Sequence, residues 1–373
     1  MRASRQAARR TSEGEVSSEV DQVSFHDLGA TVHRGTVPPG LLDELPGLYN
    51  SIFSTVDWWE THDHRHYDGV CVLDRPRHVV VYSVDGDTVE VLNKVFAIGA
   101  EEARRVCLAI FRAVPQARRI HIEVLFPPRE LRLPLRVRNV AEHMVIDLPA
   151  TVADYDASLG KRTRGNLRNF QNRLRRDHPD VATEIIVPGA GAAALFDQFL
   201  EWKNDWFHAR HGHTTFWEDK PEFIGQVKEL ACRRGEVQVT TISGEPAAIR
   251  LLFPVGDSTV SLQGSFDPRY QKYRLGLLAS YWVICDAVER GMKQVNLLWG
   301  TTDYKSHLGA TPRAATQLSV FRSHTDRLYS LGETRDIVRR QLRERGNRAY
   351  WRARGGARRA LERAGLRRGG EAR

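Results

Sequence analysis

The sequence predicts an α/β (α+β) protein in which mixed, mostly antiparallel sheets are flanked by helices. The chain has 373 residues, which exceeds a typical single domain. A similar order of helix-like and strand-like segments occurs twice along it, with a break near residues 148–150. We therefore expect a polar leader at 1–20, two consecutive units at 21–150 and 151–330, and a basic helical tail at 331–373.

The first unit reads as a helix, three strands, a second helix and a fourth strand. The helices are predicted at LLDELPGLYNSIF and EEARRVCLAIFRAV, and the strands at GVCVLD, HVVVYSV, TVEVLNKVFAI and RRIHIEVLF. In the second helix, Val106, Ile110 and Val114 recur at every fourth position, which is the spacing of an apolar stripe laid on a sheet.

The second unit begins with a very basic helical segment from Tyr155 to Arg176 and a helix at ALFDQFLEWKNDWFHARHG. Three strands follow as an antiparallel meander, at VQVTTI, AAIRLLF and TVSLQGSF, with turns at Gly244 and Gly256. The unit closes with a helix at LGLLASYWVICDAVERG, a strand at QVNLLWG, a short helix-like link and a strand at ATQLSVFRS.

Composition and charge restrict the class of protein. The tail at 331–373 holds 14 Arg and five acidic residues, so it carries the whole formal charge of +9 and the remainder is close to neutral. The tail would suit an acidic partner, although a solvated basic helix is the simpler alternative.

The four cysteines lie far apart without a CxxC pair, and no apolar run reaches the length of a membrane span. A reducing cytoplasm is the expected location.

Four stretches resemble the GNAT acetyltransferase superfamily. They are SLGKRTRGNLRNFQNRLRR, GEPAAIRLLF, SFDPRYQKYRLGLLASYWVICDAVERG and VNLLWGTTDYKSHLG, which together cover most of residues 151–323. The resemblance is to the branch with two tandem GNAT-like domains, the CelD/BcsL-like acetyltransferases, which are related to the FemABX peptidyl transferases. It implies a GNAT-like fold in both units, catalysis in the second, and an acyl-CoA such as acetyl-CoA as co-substrate.

In GNAT folds the pyrophosphate of coenzyme A is bound by backbone N–H groups at the start of a helix. By resemblance, that place in this chain is the start of the helix after the third strand of the meander. The predicted cofactor-binding residues are Arg269, Lys272, Arg274, Leu275, Gly276 and Leu277. Leu278 replaces a small residue of the family pattern, and a glycine such as Gly276 also begins helices that bind no ligand.

The motif WGTTDYK follows the predicted strand QVNLLW. The chain has eight Lys against 47 Arg, so nearly all of its positive charge is arginine. A lysine within a motif, such as Lys305, is therefore a candidate for a specific role. The related families carry an aromatic-Lys pair after a glycine at this place, which implies that Tyr304 and Lys305 face the reaction centre. Lys305 would stabilise an oxyanion or a phosphate, and Tyr304 would protonate the leaving thiolate. The alternative is a packed Tyr304 and a solvated Lys305.

Further candidates line the predicted cleft. Asp267 would orient or deprotonate the acceptor, but Asp before Pro is also a common turn former. Gln263 alternates with Gly264 and shares a face with Ser265, so its amide could contact substrate. The remaining predicted substrate-binding residues are Trp299, Arg164, Arg168, His213 and Trp217. The His-containing runs HDHRH and HARHGH lack the companion ligands of a strong zinc motif, so no metal site is predicted.

These residues favour an acyl-CoA-dependent N- or O-acyltransferase that acts on an amino sugar, a glycan precursor or a small amine. Direct attack on the thioester is expected, because no Cys is among the predicted site residues. Two alternatives stay open: a FemABX-like aminoacyl transferase that uses aminoacyl-tRNA, and a non-catalytic GNAT-like module.

Overall fold

The computed structural model describes residues 21–35, 37–62, 66–125, 128–187, 190–211, 221–300 and 302–330. The predicted leader at 1–20, the predicted tail at 331–373, and the candidates His213 and Trp217 lie outside these described residues. Among the described helices, none has both the length and the apolar content that crossing a membrane requires.

The first half contains seven strands and three helices within its described residues. The strands are β1 (Asp21–Phe25), β2 (Ala30–Arg34), β3 (Gly69–Asp74), β4 (Arg77–Asp85), β5 (Thr88–Val91), β6 (Arg119–Val124) and β7 (Leu135–Asp147). The helices are α1 (Leu45–Tyr49), α2 (Val56–Thr61) and α3 (Ala100–Ala113). The predicted stripe of α3 is confirmed, since Val106, Ile110 and Val114 are all buried.

The second half contains six strands and seven helices within its described residues. The strands are β8 (Ala182–Ile186), β9 (Glu236–Ile242), β10 (Glu245–Val255), β11 (Ser258–Phe266), β12 (Gln294–Trp299) and β13 (Thr311–Phe321). The helices are α4 (Val152–Ser158), α5 (Lys161–Asp177), α6 (Ala190–His211), α7 (Pro221–Arg233), α8 (Leu275–Glu289), α9 (Asp303–His307) and α10 (His324–Tyr329). The predicted meander is confirmed as β9, β10 and β11.

The described strands form one sheet of thirteen, in the order β1-β2-β3-β4-β5-β6-β13-β7-β12-β11-β10-β9-β8. The last strand of each half is inserted beside the other half: β13 pairs with β6, and β7 pairs with β12. The two inserted strands also pair with each other, from Thr311 opposite Val145 to Val320 opposite Leu135. The expected sheets of two tandem units are therefore fused at their centre by an exchange of strands.

Both halves repeat one β-α-β unit. Helix α3 connects the parallel strands β5 and β6, and helix α8 connects the parallel strands β11 and β12. Most other pairs of the sheet are antiparallel, as predicted. This repetition makes the equivalent positions of the two halves directly comparable.

Helices cover both faces of the second half. On one face, α6 packs Phe196 and Phe199 into the apolar cluster that includes Ile249 and Leu251 of β10. On the other face, α8 packs over a second cluster with Ala248 of β10 and with Leu167 and Leu174 of the basic helix α5. Strand β10 thus lies between an α6 face and an α8 face, and its alternate residues point to opposite ones.

Candidate functional site

A gap opens in the sheet between β11 and β12. The two parallel strands pair only from Ser258 to Val260, opposite Gln294 to Asn296. Beyond that point β12 turns away from β11: the φ angle of Leu298 is +56°, and the register of β12 against β7 shifts between Asn296 and Trp299. The Asn296 side chain accepts the Leu298 N–H at 2.8 Å, which supports this bend. The free ends of β11 and β12 therefore border an opening.

Lys305 holds the bent end of β12. Its side chain is buried, and the ammonium donates to the carbonyl oxygens of Leu297 at 2.8 Å, Trp299 at 2.7 Å and Leu298 at 3.4 Å. Burial, together with the positive charge of Arg250, lowers the pKa of Lys305 to about 8. The alternative in which Lys305 is solvated is therefore wrong, because its ammonium contacts three backbone carbonyl oxygens.

Arg250 enters the same opening from β10. It lies opposite Gly264 of β11, where a Cβ would come within 2.8 Å of the guanidinium, so glycine leaves the room that Arg250 occupies. The guanidinium donates to the Ser261 hydroxyl at 3.0 Å and weakly, at 3.5 Å, to the Gly276 carbonyl. Burial lowers the pKa of Arg250, and the Tyr304 hydroxyl partly opposes this through its charge interaction and a hydrogen bond with the guanidinium. Nε of Arg250 is buried and has no hydrogen-bond partner among the described residues.

Lys203 reaches the opening from the α6 face. Its ammonium lies 3.5 Å from the Gly264 carbonyl and 5.7 Å from the centre of the Trp206 ring. Burial, together with the positive charge of Arg250, lowers the pKa of Lys203 to about 8. Within the described part of the chain, Lys203, Arg250 and Lys305 form no ion pair with a carboxylate. Among the described residues, the opening is therefore lined by three cations that no carboxylate neutralises.

Helix α8 begins next to the opening without a side-chain cap from any described residue. Its N-cap residue Arg274 adopts the left-handed conformation, with φ of 55°, and its first turn contains no acidic residue. Gly276 is needed for close packing, since a Cβ there would meet the Phe266 ring at 3.0 Å. The N–H groups at the start of a helix carry partial positive charge, so this end of α8 favours an anion.

The equivalent helix of the first half has the opposite charge at its start. Helix α3 carries Glu101 and Glu102 in its first turn, and the Glu102 carboxylate folds over Gly99 at the N-cap. A carboxylate at that position already satisfies the positive end of the helix and repels a phosphate. Of the two equivalent helix starts, only that of α8 is open to an anionic ligand.

The segment between β11 and α8 uses several predicted residues for its own structure. Asp267 caps the 3₁₀ turn Pro268–Tyr273 and accepts from the Arg269 backbone N–H at 2.8 Å and from its Nε at 2.7 Å. Burial raises the pKa of Asp267, but the bonds from Arg269 outweigh it and the net pKa is lowered. Lys272 lies over the Tyr273 ring at 4.8 Å. The turn-forming role of Asp267 is thus present in the fold.

Helix α5 lies beside this segment. Its Arg164 donates to the carbonyl oxygens of Asp156 and Ala157, at 3.3 and 2.9 Å, and so closes the end of α4. Arg168 is exposed. The far end of α5 contacts the turn, because Asp177 accepts from the Tyr273 hydroxyl at 3.0 Å and the Arg173 guanidinium lies 5.6 Å from the Tyr273 ring. The basic helix and the start of α8 thus belong to one surface.

Aromatic side chains form the wall of the site next to Lys305. Trp299 is 47% exposed, and its ring lies 5.2 Å from Phe53 and 5.1 Å from His143. His143 is buried, and neither of its ring nitrogens has a partner among the described residues. Burial lowers the pKa of His143 to about 4, and the Lys305 charge contributes. An uncharged His143 can therefore lie beside the Lys305 ammonium.

The structure brings together Tyr304, Lys305, Trp299 and Gly276 of the predicted site, with Gln263 next to Gly264 on β11. Arg164 and Arg168 lie on the neighbouring α5 instead. Arg250, Lys203 and His143 also lie at the opening, and they were not predicted from the sequence. Two signals were available: Lys203 is another of the scarce lysines, and Arg250 is the single charged residue within the apolar strand AAIRLLF.

Comparison with known proteins gives the following similarities. Residues 161–306 match the family model described as acetyltransferase (GNAT) domain. FemX aligns with a TM-score of 0.58 at 10% identity, over 80% of this chain and 99% of FemX. A conserved protein of unknown function from Bacteroides thetaiotaomicron VPI-5482 aligns with a TM-score of 0.51 at 13% identity, over 78% of this chain and 99% of that one. None of the curated proteins compared matches the sequence.

Proposed function

We propose, from the match of residues 161–306 to the acetyltransferase (GNAT) domain model, that the chain transfers an acyl group from acyl-CoA, with acetyl-CoA as the first candidate donor. The acceptor would be the nitrogen or oxygen of a small amine, an amino sugar or a glycan precursor. The observation that carries the proposal is the opening between β11 and β12 beside the uncapped start of α8.

The start of α8 suits the phosphates of the donor. Backbone N–H groups of its first turn and the helix dipole favour anions. Arg274 and the exposed Lys272 lie at the same place and add positive charge. If the pyrophosphate of the donor binds at the start of α8, the thioester arm would extend into the opening. The ends of β11 and β12 are not paired with each other there, so their backbone groups remain available for hydrogen bonds to the arm.

The proposed reaction is a direct transfer. The acceptor attacks the thioester carbonyl, a C–N or C–O bond forms, the C–S bond breaks, and the acceptor proton ends on the departing thiolate. Tyr304 is 37% exposed and is the proposed proton donor, which the acceptor proton would restore. Lys305 would supply positive charge for the oxyanion, although its donors already bond the carbonyls of β12.

None of the four cysteines suggests a covalent intermediate. Cys71 and Cys107 are fully buried in the first half, and burial raises the pKa of both thiols. Burial also raises the pKa of Cys285, to about 11, which lowers its thiolate fraction at neutral pH. Cys232 lies on α7, outside the elements that border the opening.

Calorimetric titration with coenzyme A and with acetyl-CoA tests the donor, and a screen of amines and amino sugars for release of free thiol tests the reaction. We expect binding of both nucleotides and thiol release with at least one acceptor class. Absence of binding at millimolar ligand would contradict the proposal, and binding without turnover across the screen would favour a non-catalytic module.

The exposed cations of α5 favour a second candidate, a FemABX-like transferase that uses aminoacyl-tRNA. Lys161, Arg162, Arg168 and Arg175 are exposed on a helix that contacts the turn before α8. Such a row can neutralise successive phosphates of a nucleic acid. Binding of tRNA that weakens steeply with salt, together with no affinity for coenzyme A, would reverse the order of the two candidates.

A further inference from the structure

The cations at the opening approach it from opposite faces of the sheet. Arg250 lies on the α8 face, since its neighbour in the register is Gln238 of β9, whose amide fits Ala279 and Val283 of α8. Lys203 projects from α6 on the other face. The two meet at Gly264, where Arg250 occupies the space of the missing side chain and Lys203 contacts the carbonyl oxygen.

This arrangement leaves charge and donors unused. Burying a cation is costly unless it is paired with an anion or fully hydrogen-bonded. Among the described residues, the half-buried Lys203 has one weak hydrogen-bond contact, at 3.5 Å to the Gly264 carbonyl, for its three donors. Arg250 keeps Nε unpartnered among the described residues while its side chain is 7% exposed. A ligand with an oxyanion would accept hydrogen bonds from the unused donors of both side chains and neutralise their charge.

We infer that the acceptor of the transfer reaction carries an anionic group, a carboxylate or a phosphate, and that Lys203 and Arg250 bind this group at Gly264. The inference rests on the proposed function. Arg250 lies on the α8 face and reaches the Gly276 carbonyl, so the assignment of the anion to the acceptor rests on Lys203, which lies on the α6 face, opposite the proposed donor phosphates at the start of α8. Gln263 also belongs to the α6 face, since it lies opposite Leu251.

The chemistry of the two side chains fits an oxyanion better than a neutral polar group. A guanidinium offers a planar fork to a carboxylate or phosphate, and an ammonium adds a point charge with three donors. Trp206, which is 41% exposed next to Lys203, would shield one side of the bound group from water. An uncharged acceptor would leave the positive charge in place and gain little from either side chain.

Matched acceptor pairs test the inference in the thiol-release assay with acetyl-CoA. The pairs are amino acids against their amides and hexosamine phosphates against hexosamines, so that the two arms distinguish a carboxylate from a phosphate. We expect the anionic member of one pair to have a kcat/KM about 10- to 100-fold higher. Lys203→Met should remove this preference, mainly through KM, and leave the affinity for coenzyme A unchanged.

Lys293→Met is the control, because Lys293 is exposed at the other end of β12. It should keep the wild-type preference. Lys203→Arg should restore part of it, since the charge remains. Equal kcat/KM for both members of every pair would overturn the inference. So would a Lys203→Met variant that loses affinity for coenzyme A and keeps its acceptor preference, since the anion site would then belong to the donor.

Direct anion binding separates this inference from the proposed function. Inorganic phosphate and acetate, each added at constant ionic strength, should raise the melting temperature of the wild type more than that of Lys203→Met or Arg250→Met. This shift is expected even if coenzyme A does not bind, in which case the proposed function fails and the anion site stands. Equal shifts for the wild type and both variants would refute the site.

Discussion

Lys305 combines two roles that one substitution would disturb together. Lys305→Met removes a cation that bonds the carbonyls of Leu297, Leu298 and Trp299, so the bent end of β12 loses its fixed position. We expect a loss of about 2 to 4 kcal/mol in the free energy of unfolding. We also expect a decrease of about 10²-fold in the chemical rate, because positive charge leaves the opening. Thermal denaturation and single-turnover rates measure the two effects.

Lys305→Arg should rescue neither property, because a planar guanidinium cannot direct its donors at three carbonyls that surround one point. The conservative control is Lys293→Arg at an exposed position. A Lys305→Met variant with the melting temperature of the wild type would show that the three carbonyls are satisfied in another way.

The residue scale also shows how far the sequence could predict the site. Scarcity of lysine drew attention to Lys305, and the structure places it at the proposed opening. Arg250 and Lys203 were missed because they are separated along the chain and meet only when strands β10 and β11 and helix α6 are assembled. The pairing of Asp267 with Arg269 was missed for a simpler reason: two oppositely charged residues in a turn bind each other before they bind a ligand.

Helices α3 and α8 occupy equivalent places and differ in the charge of their first turns, which leads to a prediction at the scale of the element. Leu277→Glu places a carboxylate at the third position of α8, where α3 has Glu102. We expect at least about a tenfold loss of affinity for coenzyme A, because the carboxylate competes with the phosphates for the same helix end. Calorimetry at low salt measures it, and added salt should reduce the difference.

Leu277→Gln is the matched control, since it has the same size and the same loss of apolar contact without the charge. The Glu variant should be at least as stable as the Gln variant, because a negative charge at a helix start is favourable. Equal affinity of the two variants for coenzyme A would show that the phosphates bind elsewhere.

At the same scale, the sequence predicted the meander, α3 and α8, but it missed several elements, among them helix α7 and strand β7. The meander and α3 have clear apolar patterns, and α8 is a long, mostly apolar segment. Strand β7 was missed, because from Leu135 to Glu142 its side chains are half-buried or exposed and only the next four residues are buried. Its place at the centre of the sheet comes from backbone pairing with both β12 and β13. Hydrophobic periodicity cannot report such pairing, because it reflects only the burial of side chains.

At the scale of the whole molecule, the exchange of strands joins the two halves more closely than a linker does. Strand β13 of the second half has both of its neighbours, β6 and β7, in the first half. The larger apolar cluster also includes residues of both halves, among them Val81 and Phe96 from the first and Phe253 and Val255 from the second. The proposed division at residue 150 stays a prediction about sequence repeats, and the described fold gives no reason to expect two independent folding units.

The fragment 151–330 tests this coupling. Without the first half, β13 would lose both of its pairing partners and β12 would lose β7, which leaves long rows of unpaired backbone N–H and C=O groups. We expect this fragment to aggregate or to melt without a cooperative transition, whereas residues 21–330 should unfold in one transition.

The fragment 133–330 is the control, because it retains β7 and so restores both partners of β12 and one partner of β13. Its stability should be intermediate. Circular dichroism melts and size-exclusion chromatography distinguish the three chains. A cooperative melt of 151–330 at the temperature of the longer chain would show that the second half folds alone, in which case the exchanged strands attach the two halves without stabilising either.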